Sequence, residues 1–147
     1  MAKKEAIEAT VSGNDQQVGF RALVMKQAIE YNLAGSARND ANQIVRFTLQ
    51  GDKQRIDSAL ATIQQGTKRS SDLKITTTPA AIDAALNTFT IVDWTSSSRN
   101  ITNKYNLVFK LRADDTAISP KDTKVAWHQI LKTTLNAEDL KKLGPDD

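Results

Sequence analysis

The stretch Val11-Ser12-Gly13-Asn14-Asp15-Gln16-Gln17-Val18-Gly19-Phe20-Arg21 joins two different hydrophobic periodicities. Ahead of it, Ile7, Ala9 and Val11 alternate with Glu8 and Thr10, the period-two pattern of a strand with one face buried. Behind it, Phe20, Leu23, Val24, Ala28 and Tyr31 recur at helical spacing, so one stripe of a helix faces a core. The first N–H groups of a helix have no intrahelical partner and lie at the positive end of its dipole. A polar loop delivered to a helix start by a strand is therefore suited to holding an anion. Arg21, in the first turn, adds a planar fork of donors that matches phosphate or carboxylate oxygens. Taken alone, the same residues also fit a plain polar turn followed by a solvated arginine, and no motif rule forces the sharper reading.

Working outward, Asn32 stands where a left-handed residue closes the helix, and asparagine tolerates that conformation well. Residues 36–39 form a short candidate strand opened by Gly35. Val45, Phe47 and Leu49 alternate as the next one, closed by Gly51. Asp52 is a natural N-cap for a second amphipathic helix marked by Ile56, Ala59, Leu60 and Ile63 and stopped by Gly66. Leu73 and Ile75 could extend a strand. Thr78-Pro79 before residues 80–86 reads instead as a capped short helix with proline at its first position, so residues 72–87 are taken as an inserted segment. Residues 89–94 have strand composition, and Tyr105, Leu107, Phe109 and Leu111 alternate as another strand.

The resulting order, β-α-β-β-α-β, predicts an α+β fold: a ferredoxin-like two-layer sandwich with its helices on one side of an antiparallel sheet. It occupies residues 1–112, insertion included, and residues 113–147 are read as a C-terminal helical extension. In that extension Ser119-Pro120 starts a helix with an apolar stripe of Trp127, Ile130, Leu131 and Leu135, and Asn136 caps a last turn holding Leu140 and Leu143. Such a stripe needs a surface. The uncovered face of the sheet is the preferred one, and homo-oligomerisation through the extension is the other.

Composition narrows the chemistry. The 147 residues contain no cysteine and one histidine, His128, which removes thiol catalysis and cysteine-based metal sites and argues against a histidine-rich zinc centre. No metal ligand set and no cofactor is expected. A net charge of +3 suits small anions and gives little support to nucleic acid, whose binders concentrate charge in a patch. With no apolar run of transmembrane length and no apolar leader segment, the expectation is a cytoplasmic protein with no membrane contact.

Residues 11–21 resemble the first signature of the acylphosphatase family, with Val11, Gly13, Gln16, Val18, Phe20 and Arg21 at the positions the pattern requires. Gly35, Ala37, Arg38, Asn39, Val45 and Gly51 match its second signature in order and spacing. The resemblance covers about residues 6–112. It implies hydrolysis of the carboxyl–phosphate bond of acyl phosphates without a metal or covalent intermediate. Arg21 matches the arginine that holds the phosphate, Asn39 the asparagine that orients the attacking water. Asn14, Asp15, Gln16, Gln17, Val18, Gly19 and Phe20 match the cradle whose backbone N–H groups surround the phosphate oxygens, so inorganic phosphate or sulfate is also an expected ligand. The chain departs from the pattern at Gln17, where the cradle has its second glycine, and at Asp15, where it has an apolar residue. Ser36 replaces an aromatic, and Gln43 a turn glycine, with Asn42 beside it to supply the turn. These departures leave an alternative: an acylphosphatase-like domain without turnover, acting as an anion- or protein-binding module. A nucleic-acid-binding module ranks last, because the sheet lacks the aromatic central-strand motif used to stack bases.

Overall fold

A computed structural model describes residues 3–14, 19–66, 71–144 and 147, with Asn14 and Ser71 described by their backbone alone. Strand β1 (Lys4–Asn14) leads to helix α1 (Phe20–Tyr31), then to β2 (Ala34–Asp40), β3 (Ile44–Asp52) and α2 (Lys53–Gln65). Strands β4 (Ser71–Pro79), β5 (Thr88–Ser96) and β6 (Ile101–Lys110) follow, and α3 (Pro120–Thr134) and α4 (Ala137–Leu140) close the chain. The expected caps are formed. Asn32 adopts φ 56° after α1, and Gly66 adopts φ 70° after α2. The side chains of Asp52, Ser119 and Asn136 accept from the N–H groups of Arg55, Asp122 and Asp139.

The sheet order is β4-β1-β3-β2-β5-β6. All neighbours are antiparallel except β2 and β5, which run parallel, so the expectation of a wholly antiparallel sheet is corrected at one ladder. The chain leaves the edge strand β4 and returns on the far side of β2, travelling in the same direction as β2. One face of the sheet is apolar. Ala9, Val11, Val45, Phe47, Leu49, Phe89, Ile91 and Leu107 are buried there beneath the helices. The other face carries Thr10, Ser36, Arg46, Thr48, Thr90 and Lys104, none of them buried.

Two expectations fail for physical reasons. Residues 79–86 are not helical: Pro79 is the last residue of β4, which pairs with β1 from Ile7↔Pro79 to Asn14↔Ser71. Proline is tolerated at the end of an edge strand, where its missing N–H breaks no ladder, and the Thr76-Thr77-Thr78 run favours extended backbone. The segment read as inserted thus supplies an edge strand, and Gln50 holds the loop after it through Asp83. The C-terminal stripe does not take the uncovered sheet face, which is too polar to bury it. Helix α3 joins the helical layer instead, lying against α1 and β6. Trp127 and Leu131 are each only 2% exposed.

This changes what α1 must be. It touches α2 on one side and α3 on the other, with β2, β3 and β5 beneath. Burial therefore spreads beyond a single stripe: Met25 and Ile29 are fully buried, whereas Leu23 and Tyr31 are half-buried. Its C-terminus is tied by Arg112 Nη1, which donates to the Ile29 carbonyl at 2.8 Å, and by Arg55 Nη1, which donates to the Tyr31 carbonyl at 3.0 Å. Cations at this end also complement the helix dipole.

Candidate active site

Helix α1 begins immediately after Gly19, whose φ of 75° and ψ of 24° are left-handed. Glycine takes that conformation without the penalty a Cβ brings. It also offers no capping side chain, so the first-turn N–H groups are not engaged by their own N-cap. Among the described residues, the N-cap leaves this helix start without a side-chain acceptor.

Arg21 sits in that first turn and is 8% exposed, which overturns the reading of it as a solvated residue. Its Nη1 donates to the carbonyls of Val92 and Asp93, both at 3.0 Å. Among the described residues these are the hydrogen bonds of the guanidinium, and they engage one nitrogen of three. Burial pushes the guanidinium below its ordinary pKa, and the Asp93 carboxylate partly opposes this. Arginine titrates so high that the group stays charged, so the protein holds a desolvated cation here.

Asn39 is exposed near the end of β2. It pairs with Val45, which pairs on its other side with Val11 near the end of β1. The parallel ladder of β2 and β5 runs from Gly35↔Phe89 to Ala37↔Ile91. Carried two residues further, that register puts Asn39 level with Asp93, the residue whose carbonyl holds Arg21. The end of β1, Asn39 and the anchor of Arg21 thus share one end of the sheet. Behind Asn39 the chain reverses through Asn42 and Gln43, at φ 60° and 59°. The turn is tied by Asp40, which accepts from the Ala41 N–H at 2.8 Å and from Arg46 Nε. Arg46 holds the Asp40 carboxyl below the usual carboxylate range. Gly35 is required by space: a Cβ there would lie 1.9 Å from the Thr48 carbonyl oxygen.

Of the expected cradle, Gly19, Phe20 and Arg21 are placed as described, and Asn14 is placed by its backbone. Asp15, Gln16, Gln17 and Val18 lie outside the described residues. His128 is remote in α3, its Nε2 2.9 Å from the Asp147 carbonyl oxygen. Val92 and Asp93 act through backbone carbonyls, which no side-chain motif marks. The sequence does carry a signal: the apolar alternation of Phe89 and Ile91 resumes at Trp94 rather than at Asp93, a phase break that the register slip in β5 matches.

Fold and geometry together define an α+β ferredoxin-like domain with a buried cation in the first turn of a helix whose N-cap is a glycine. The chain belongs to the acylphosphatase family, whose family model matches residues 7–91. It is 33% identical over 89 residues to the acylphosphatase of Chlorobaculum tepidum, spanning 60% of this chain and 97% of that protein. To the acylphosphatase of Colwellia psychrerythraea it is 40% identical over 67 residues, spanning 46% of this chain and 75% of that one. Among solved structures it resembles an acylphosphatase from Coxiella burnetii with a TM-score of 0.54 and 25% identity, covering 60% of this chain and 92% of the other. These relatives place the chain with acylphosphatase enzymes. The matched segment ends at residue 91, just before the carbonyls that hold Arg21. No helix among the described residues is long and apolar enough to cross a membrane.

Proposed function

We propose that this protein hydrolyses the carboxyl–phosphate bond of small acyl phosphates, with Arg21 holding the phosphoryl group and Asn39 orienting the attacking water. The reading is carried by the desolvated Arg21 in the first turn of α1, behind a glycine N-cap. A cation in that setting acts on phosphoryl oxygens far more strongly than one in water. Water attacks phosphorus while the bond to the acyl oxygen breaks; the carboxylate leaves with its electron pair, and a proton of the water passes to a phosphoryl oxygen or to solvent. A carboxylate is a good leaving group, so fixed positive charge and a positioned nucleophile supply most of the needed acceleration. No strong base is required. Backbone N–H groups of residues 14–20 complete the phosphate site in this reading.

The test is hydrolysis of a simple acyl phosphate by the wild type, Arg21→Ala and Asn39→Ala. Loss of one preorganised donor costs about 10²–10³ in rate, so both variants should fall by roughly a hundredfold or more. A wild type no faster than buffer refutes the enzyme. Phosphate binding that survives in such an inactive protein would select the binding-module reading, which Asp15 and Gln17 favour as departures from the family pattern.

A further inference from the structure

The anchor that holds Arg21 is built by a strand that follows the segment matched to the family. Register slips in β5 between Ile91 and Trp94, and Asp93 within the slip adopts φ 54°. Left-handed backbone is costly for a residue with a Cβ, although aspartate and asparagine tolerate it better than most. The turn takes Asp93 out of regular pairing with β6, and its N–H is received by the side chain of Asn106, whose Oδ1 accepts at 3.0 Å. The same turn directs two successive carbonyls, those of Val92 and Asp93, at one nitrogen of Arg21. In a regular strand successive carbonyls point to opposite sides. Convergence on one donor therefore requires the bulge.

We infer that Asp93 and Asn106 are positioning residues for the phosphate-holding arginine: Asn106 staples the β5 bulge, and the bulge fixes the guanidinium through Nη1, while its other nitrogens, which no described residue engages, serve a phosphoryl group. The inference rests on the proposed role of Arg21, but its central claim, that a β6 side chain sets the arginine, can be tested without turnover. Both residues lie beyond residue 91, so this chain secures its arginine with structure added after the matched segment. Asn106 is exposed, so replacing it removes one acceptor and no core packing.

The experiment reads the Arg21 guanidinium directly by nitrogen NMR and compares inorganic phosphate binding in the wild type, Asn106→Ala and Asn106→Asp. In the wild type, two acceptors on Nη1 should slow rotation about the Cζ–Nη1 bond and give resolved Nη signals. Asn106→Ala should merge them and weaken phosphate binding about tenfold, since a misplaced group near the reacting atoms loses one to two orders of magnitude. Asn106→Asp keeps the acceptor and should restore the resolved signals. If Asn106→Ala keeps both the slow rotation and the wild-type phosphate affinity, the inference is wrong. If the signals merge while phosphate binding is unchanged, the staple exists but Arg21 does not hold phosphate, and it is the proposed function that fails. Asp93→Val provides a second route, because a β-branched residue resists positive φ; it should merge the same signals even with Asn106 intact.

Discussion

Replacing Arg21 by methionine separates a residue kept for the fold from one kept for the site. Methionine retains the apolar stem, so little buried area is lost at a position that is 8% exposed. Two hydrogen bonds from the guanidinium disappear, and bonds to a charged group contribute about 1.5–3 kcal/mol each. Against them stands the cost of keeping a cation out of water, which is several kcal/mol per ion. The lowered pKa, caused first by burial, says that burial outweighs the charge's local compensation. The freed carbonyls belong to Val92, which is half-buried, and Asp93, which is exposed, so water can reach at least one of them. The terms roughly cancel, and Arg21→Met should change the unfolding free energy by less than about 1 kcal/mol, in either direction. Phosphate affinity should meanwhile fall about a hundredfold. Urea unfolding at constant m-value and titration with inorganic phosphate measure the two quantities. A loss above about 3 kcal/mol with phosphate binding intact would refute the argument and make Arg21 a structural residue.

Three further outcomes are expected. Gln43→Gly should stabilise the protein by about 0.5–1 kcal/mol in thermal unfolding, because relief of left-handed strain, about 1–2 kcal/mol, exceeds the added unfolded-state entropy of glycine, about 0.4–1 kcal/mol. Leu131→Ala, at a site 2% exposed on the buried face of α3, should cost about 2–5 kcal/mol by chemical denaturation. Asp139 accepts from Tyr105 Oη at 2.5 Å and Asn103 Nδ2 at 2.8 Å, and it pairs with Lys142 at 3.2 Å. These bonds, that of Tyr105 foremost, hold its carboxyl below the usual range. A depressed folded pKa contributes stability above the unfolded value, near 3.9, and loses it as pH falls through the folded one. Asp139→Asn should accordingly be less stable than wild type at pH 7, with the gap closing below about pH 4, as followed by unfolding across pH.

Features set by local chemistry could be read from the sequence, and those set by long-range packing could not. The caps at Asn32, Asp52, Gly66, Ser119 and Asn136 follow from the residue itself and its immediate neighbours, so they stand where the periodicity ends. The strand β4 was obscured because Thr-Pro is equally a helix start and the end of an edge strand. Only pairing with β1 decides between them. The stripe on α3 announced that it would be buried without saying against what, since the polarity of the open sheet face emerges only after six strands are aligned. At the site, the positions of Arg21 and Asn39 could be found from two motifs. The carbonyls that hold Arg21 carry no side-chain signature, and only the shifted alternation around Asp93 hinted at them.

The placement of α1 in the middle of the helical layer has a consequence for how the chain may be shortened. In a sandwich of two helices, each has one free flank, and the polypeptide can stop once the sheet is covered. Here Lys26 of α1 lies over the Trp127 ring of α3, and Met25 and Ile29 of α1 are buried in one apolar cluster with Trp127 and Leu131 of α3 and Leu107 and Phe109 of β6. A polypeptide cut at the end of the family match would turn these side chains into a greasy surface beside the arginine-bearing helix. Residues 92–144 are thus not an accessory that can be trimmed away: a minimal expression unit for this enzyme should run through α4.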